Sequence, residues 1–527
     1  MASTFHGIET ARRSLFTQQA ALNTTGHNIA NANTEGYSRQ RVNMQASLAI
    51  DTPGFTRNNV PGQLGTGVEF ASITRVREKF LDDQFRNENK SLGSWEIQAD
   101  TLDKLETIMN EPSENGIRTV MDEFWKSWSD LSKNPEDVTG RKILRENAMA
   151  LADAFNQVSK QLSDLNSDLT TNIGVKATEI NSMITTIASL NAQIVKVEGM
   201  GDSANDLRDQ RDLLTDNLSK IVNITVTETP QGYTINMGTT NLVTGSTATP
   251  TSVAALEDAV TTGALNSGEV YGMIYSRDQY VEDYQNQLDV LANSLANGDV
   301  TITLPAGTVL PNNTTLTTSN GPATYSGTVL QRTLGTDTVV TVQGINGLHK
   351  LGYLFTNPAT TGGDIFTAKA GSTGVTASSI ELNPAIKADA SLIATSMRVT
   401  GTSPNETTVK GNNTLTILMS QMKDSKFAFA GGTSGNGVTN GTLDDYFRSI
   451  VGQMGVQAQE ANRQTKNQQQ LVDQVDSRRQ AVSGVSLDEE MANMITFQHA
   501  YGAAARFMTT YDQILDKLIN STGVVGR

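Results

Sequence analysis

The 527-residue chain contains no cysteine. Disulfides, thiolate metal sites, iron–sulfur clusters and a cysteine nucleophile are thereby excluded, and the fold has to hold by packing. Histidine is scarce too: His6, His27, His349 and His499 stand far apart, and no H-E-x-x-H or similar pair could hold a metal from one helix. Aromatic residues make up 6% of the chain, and the basic clusters with interleaved aromatics that nucleic-acid binding needs are missing. Acid outweighs base, 55 residues to 40, for a net charge of −15 and a pI near 4.8. Neither nucleic acid nor an anionic membrane is therefore expected as the principal partner. No apolar run reaches the roughly 18 residues of a membrane span, and the first thirty residues lack the apolar core of a cleaved leader, so neither membrane insertion nor a removed signal peptide is expected. At roughly 150 residues per domain, the length predicts three to four domains.

What is present is helical periodicity at both ends of a β-rich middle. Leu151, Phe155, Val158, Leu162, Leu165 and Leu169 fall four and three apart, followed by a second register through Ile173, Ile180, Ile187 and Ile194. That is a coiled-coil seam with a stutter at the Leu169 to Ile173 step, and it predicts one long helix or a helical hairpin. NDLRDQRDLLTDNLSKIV (205–222) predicts a capped amphipathic helix, and NITVTETPQGYTINMG (223–238) a strand, a turn at Pro230 and Gly232, and a second strand. From Asp299 to Asn440 there are 15 charged residues in 142, about 11% against 18% overall, and 28 threonines. Such composition, with alternating runs such as TDTVVTVQ, reads as exposed β structure rich in loops. Helical pattern returns from Leu443 to about Leu518.

The two flanks share a thin seven-residue stripe. Ile8, Leu15, Leu22 and Ile29 recur every seven residues at the N-terminus, beside a companion row of Ala11, Gln18, Thr25 and Ala32. Leu487, Met494, Tyr501, Met508 and Leu515 do the same at the C-terminus, entered through a capping box of Ser486 and Glu489. These nine apolar residues are the expected assembly interface. Covering one large side chain stabilises by about 1.5 to 3 kcal/mol, while ordering each backbone residue costs about 1 to 2 kcal/mol. Helices so thinly striped are expected to be weakly ordered in the free monomer and to order by packing on each other and on neighbouring subunits.

The first helix is followed by a stretch in which Asn31, Asn33, Thr34, Gly36 and Tyr37 spell N-x-N-T-x-G-Y. On it, the chain resembles the bacterial flagellar axial proteins (rod, hook and hook-associated), in which a terminal helix ends at such a stretch. Three further segments resemble the hook-associated members. They are SKNPED at Ser132 to Asp137, behind Trp125 and Trp128; NDLRDQRDLL at Asn205 to Leu214, with Asp209, Gln210, Arg211 and Asp212; and SGVSLDEEMANMITFQHAY at Ser483 to Tyr501, with Phe497 and Gln498. The likeness spans roughly residues 4–297 and 443–519, and continues in patches through Gly344 to Tyr353 and Asn383 to Ser396. Two departures stand out: Glu35 occupies a position that is often Pro in the family, and about 45 Thr-rich residues separate two segments, ending at Asn297 and starting at Gly344, that are usually consecutive.

The resemblance implies a multidomain α+β fold, with terminal helices pairing as a coiled coil, a long rod-like helical domain and outer β-rich domains. The expected divisions are a terminal domain of 1–36 with 487–527, a helical domain of 37–220 with 443–486, a β-rich domain of 221–298 with 343–442, and an inserted small β module at 299–342. It further implies a structural subunit, exported by the flagellar type III secretion apparatus, that self-assembles outside the cell where hook meets filament. The implied partners are copies of itself, the hook protein, a second junction protein next to the filament, an export chaperone and, indirectly, filament flagellin and cap. Other axial proteins (hook, rod, flagellin) are the alternative.

No constellation favours catalysis. Asp206, Asp209 and Asp212, with Arg208 and Arg211 between them, read as helix-start charges paired within their own helix rather than as acid–base or metal ligands. The Gly-rich run from Gly431 lacks the Lys-Ser/Thr of a phosphate loop and reads as linker. The N-x-T triplets at Asn312 and Asn313 arise from composition. A secreted adhesin or hydrolase with its chemistry in 299–440 is the competing class, disfavoured because the seven carboxylates there are isolated and His349 is the only histidine. No catalytic residue, cofactor or metal is expected.

Overall fold

A computed structural model describes residues 5–49, 64–110, 116–319, 321–429 and 437–521. The run at 431–436 lies outside the described residues. The chain divides into two compact units, one of Met1–Ser94, Gly174–Tyr271 and Thr465–Arg527, the other of Trp95–Ile173 and Gly272–Gln464. Three long helices, α2 (Lys79–Met109), α4 (Val138–Glu198) and α12 (Leu443–Ser483), contribute residues to both. No described helix is long and apolar enough to cross a membrane.

The first unit pairs the two ends of the chain. Helix α1 (His6–Ala30) packs against α13 (Leu487–Asp516), which continues through a π-helical turn, Lys517–Ser521. Beside α1 lies an antiparallel hairpin of β1 (Gln40–Ala46) and β2 (Val68–Arg75). The Thr17 hydroxyl, which also bonds its own helix, lies 3.3 Å from the Val68 carbonyl, and Arg13 reaches the Ser47 hydroxyl. Ser486 caps α13 by accepting from Glu489 N–H, yet the Glu489 carboxylate turns to Arg39, so only half of the expected capping box forms. Helix α5 (Asn205–Ile221) has no side-chain cap, because Ala204 stands at the N-cap position; Asn205, its first residue, donates to Gln40 and to the Ile73 carbonyl.

The expected strand, turn and strand form β3 (Thr225–Thr229) and β4 (Gly232–Met237), which continue into β5 (Thr240–Thr244) and β6 (Thr247–Ala248) in a four-stranded sheet. Gly232 sits at φ +108°, and a Cβ there would lie 2.6 Å from the Asn191 side chain. Asn191, fully buried on α4, accepts from Tyr233 N–H and donates to the Tyr233 and Gly245 carbonyls, tying sheet to helix. Helix α6 (Val253–Thr261), capped by Ser252, completes the unit. All ten residues of the expected seam, Leu151 through Ile194, are buried along one uninterrupted helix, α4, so the seam belongs to a long helix and not to a hairpin.

In the second unit, α3 (Ile117–Lys133) buries Phe124 and Trp128 edge to face, with ring centroids 6.4 Å apart, and packs on α11 (Thr414–Gln421). Helix α7 (Glu269–Tyr275) runs through a π-helical turn, Ser276–Val281, into α8 (Glu282–Asn297). A six-stranded sheet then joins β7 (Asp299–Leu304), β8 (Thr314–Thr318), β9 (Gly321–Tyr325) and β10 (Thr338–Gln343) to two short strands from much later in the chain, β15 (Phe427–Ala428) and β16 (Asn440–Gly441), in the order β16-β15-β7-β10-β8-β9. Val300, Ile302, Leu304, Val340 and Val342 point inward while Thr301 and Thr303 face solvent, the period-two pattern of a half-buried sheet. The stretch 299–342 thus supplies inner strands of a larger sheet. Its loop is rooted by Arg332, fully buried, which donates to the Leu310 carbonyl and the Tyr353 hydroxyl and pairs with Glu406. Two small hairpins, β11 (Phe366–Ala368) with β12 (Ile380–Leu382) and β13 (Val399–Thr402) with β14 (Asn405–Thr408), and short helices α9 (Gly344–His349) and α10 (Pro384–Ala388) fill the remainder.

Candidate assembly interface

The N-x-N-T-x-G-Y stretch folds around a buried amide. Asn28 Oδ1 accepts from the Tyr37 hydroxyl at 2.8 Å and from Gln40 N–H at 3.0 Å. Its Nδ2 donates to the Gln40 carbonyl and to Glu490 Oε2, both at 2.9 Å. Glu490, only 2% exposed, takes the Arg39 guanidinium on its other oxygen at 2.8 Å. Asn31 Nδ2 donates to the His27 carbonyl, Thr34 Oγ donates to Asn31 Oδ1, and Asn33 is exposed. Gly36 turns the chain at φ +77°, where a Cβ would meet Leu213 on α5 at 3.0 Å.

The aspartates of α5 bind other segments and not their own helix, contrary to the reading from spacing. Asp206 accepts from Gln40 Nε2 at 2.7 Å, and Asp209 from Ser38 N–H at 2.9 Å and Arg75 at 2.7 Å. Asp212 accepts from Arg75 at 2.8 Å and the Tyr233 hydroxyl at 2.6 Å; Asp216 accepts from Arg86 at 2.7 Å and Arg479 at 2.5 Å. Arg211, fully buried, lies over the Tyr233 ring at 3.4 Å, and Gln210 is exposed. Burial alone would raise the Asp212 carboxyl, but Arg77, Arg75 and Arg86 together bring it down to about 2. At Asp209 burial outweighs Arg75 and its carboxyl rises. Burial, then Asp212, pushes the Tyr233 hydroxyl up to about 12. Sequence reasoning missed Arg75, Arg77, Arg86, Asp216, Arg479 and Glu490. The one available signal was the run of four aspartates at 206, 209, 212 and 216, more acid on one helix face than its own arginines can neutralise.

The structure places the nine expected seam residues unevenly. Ile8, Leu15, Leu22 and Ile29 are all half-buried, as are Met494 and Met508; Leu515 is buried, whereas Leu487 and Tyr501 are exposed. The buried positions of α1 are small or polar: Gly7, Ala11, Thr17, Ala21, Thr24, Thr25 and Asn28. A Cβ on Gly7 would lie 2.3 Å from the Tyr511 ring, so glycine is what lets the helices approach there. Small residues at the contact line push the larger aliphatics to its borders, where one side of each remains uncovered. Phe497 is half-buried and Gln498 exposed. Among the described residues, no group of three or more His, Asp or Glu could hold a metal ion.

Residues 102–298 match the family described as flagellar hook-associated protein FlgK helical domain, residues 8–37 flagella basal body rod protein, and residues 476–521 flagellar basal body rod FlgEFG protein C-terminal. Flagellar hook-associated protein 1 of Bacillus subtilis is 34% identical, with all of both chains covered. The proteins of that name from Escherichia coli and Salmonella typhimurium are 28% and 26% identical, over 97% of this chain and 99% of theirs. A solved structure of the flagellar hook junction protein FlgK from Burkholderia pseudomallei covers 76% of this chain and all of its own, at 17% identity and a TM-score of 0.49. With a third of its residues shared end to end with a curated relative and three flagellar family matches along its length, the chain belongs to the flagellar hook-associated protein 1 family.

Proposed function

We propose that this chain is a structural subunit of the bacterial flagellum, built into the junction between hook and filament, where it joins copies of itself through α1 and α13. The observation that carries the assembly mode is the outer surface of the helix pair. Phe16 on α1, and Met491, Ile495, Phe507 and Ile514 on α13, are each 46–59% exposed, while Ile8, Leu15, Leu22, Ile29, Met494 and Met508 are only half-buried. Large exposed apolar side chains on paired helices mark an interaction surface, and another copy of the same pair presents the same side chains. Around these copies, arranged as a ring or a helical zone, the hook protein on one side and a second junction protein on the other are the expected neighbours, with flagellin and cap beyond and an export chaperone before assembly. Export through the flagellar secretion apparatus belongs to the same reading. So does the absence of catalysis: the charged cluster of the first unit is consumed by internal ion pairs.

The test is complementation of a deletion strain, viewed by electron microscopy. The deletion is expected to leave hooks without filaments and to release filament protein into the medium, and the wild-type gene to restore filaments. Leu15→Asp with Leu22→Asp should be exported as a soluble chain yet fail to restore them, since two carboxylates then stand in a seam meant to be covered. Normal filaments from the double variant would refute assembly through this seam.

A further inference from the structure

We propose that Glu490, through its bond to Asn28, sets the register in which α1 and α13 pair, and so positions the surface that neighbouring copies contact. The proposal rests on the assembly reading above.

The apolar stripes cannot set that register themselves. Both repeat every seven residues, so a slip of one heptad brings Leu15 where Leu22 stood and leaves the pattern unchanged. Two contacts can discriminate. At one end Gly7 lies under the Tyr511 ring; at the other Asn28 donates to Glu490 at 2.9 Å. Gly7 and Asn28 are 21 residues apart, and so are Glu490 and Tyr511, so the two contacts lie three heptads apart on each helix. Counting sevens between them brings Ser14 level with Ala504 and Ala21 level with Phe497, small residues against each other or against a large one. In a frame slipped by seven residues in one direction, Glu490 falls level with Ala21 and Gly7 with Ala504. Slipped the other way, Asn28 falls level with Phe497. In the first slip the packing survives in kind, but the carboxylate loses its partner inside a closed seam; in the second Tyr511 meets Ser14 where glycine stood, and the amide loses its partner as well. A single polar residue that is satisfied in one alignment alone is the device by which coiled coils fix register at some cost in stability. Arg39 supports it: just beyond the turn that follows α1, it holds the second Glu490 oxygen at 2.8 Å, so the carboxylate is fully engaged in the observed frame.

The absence of cysteine lets two be introduced cleanly for spin labels, at the exposed Gln19 and Thr509. In full-length chain, assembled with an excess of unlabelled copies, the label-to-label distance reads register within one chain, and sedimentation reads assembly. The wild-type pair should show one distance. Asn28→Leu with Glu490→Leu replaces both partners by apolar groups and should retain helix content, yet show a second population displaced by up to about 10 Å, the rise of seven helical residues. Glu490→Leu alone should do the same, and Glu490→Gln, which still accepts from Asn28, should keep the single distance. A single unshifted distance in the leucine variants, or a broadening centred on the wild-type value, would overturn the proposal, since either means that packing alone holds the frame. Failure of the wild-type chain to assemble, with one sharp distance retained, would instead sink the assembly reading and leave the register result standing.

Discussion

Asp212 stands at the centre of the charged cluster, and replacing it with Asn removes one negative charge at nearly constant volume. Its side chain is 2% exposed, so water does little to screen it. Bringing its carboxyl from 3.8 to about 2 corresponds to about 2 kcal/mol of preference for the ionised form in the folded state. Removing one partner from a buried ion pair destabilises by about 3–5 kcal/mol, because the other charge stays behind; here Arg75 keeps Asp209 and Arg86 keeps Asp216, so the lower end, about 3 kcal/mol, is expected. A chain of two units need not unfold in one step, so the readout is amide hydrogen exchange along α5 in the full-length protein. A loss of 3 kcal/mol should speed exchange there about 100-fold. The pH dependence follows from the sign of the shift. A carboxyl held below its unfolded value stabilises above pH 4 and loses that contribution as pH falls from about 4 to 2. Asp209, raised by burial, works in the opposite direction in wild type and variant alike, so the difference between the two isolates Asp212. Exchange within about threefold of wild type, or an unchanged slope between pH 4 and 2, would show that the cluster is not held together through Asp212.

Two further outcomes are expected in the second unit. Excising 298–343 and joining Asn297 to Gly344 removes the inward side chains of β7 and β10, worth about 10 kcal/mol together, and strips Glu406 of Arg332; the shortened chain should be insoluble or cut by protease within 272–464, and a stable, soluble product would show that the sheet is dispensable. His349 is fully buried and held neutral, its pKa brought down to about 4 by burial, with Nδ1 at 2.6 Å from the Gly363 carbonyl and Nε2 accepting from Ala394 N–H at 2.8 Å. Since the unfolded histidine takes its proton near 6.5, stability of this region should fall by about 3 kcal/mol between pH 6.5 and 4, and His349→Gln should flatten that slope in exchange measurements; an unchanged slope would place the proton uptake elsewhere.

Much of this protein was legible from the chain alone, for reasons that are local. Heptad spacing specifies which face of a helix is apolar, so the ten seam residues of α4 were identified and all are buried. Pro230 and Gly232 marked a turn because the fixed φ of the one and the freedom of the other to take a positive φ act without neighbours. The N-x-N-T-x-G-Y, NDLRDQRDLL and FQHAY stretches carried the family, because a motif records its residues whether or not its contacts are known. Contacts between distant segments were decided only in three dimensions. No spacing rule relates Asn28 to Glu490 or Asp216 to Arg479, and within one helix the aspartates of α5 look like ordinary helix-start charges. Nor could composition reveal that β7 would find β15 more than a hundred residues later, since strand pairing depends on which edge is free once the chain has folded back. The stripe on α1 marks the apolar side, but the contact line fell on Gly7, Ala21 and Asn28, because two helices approach most closely where side chains are smallest, and that is a property of the pair.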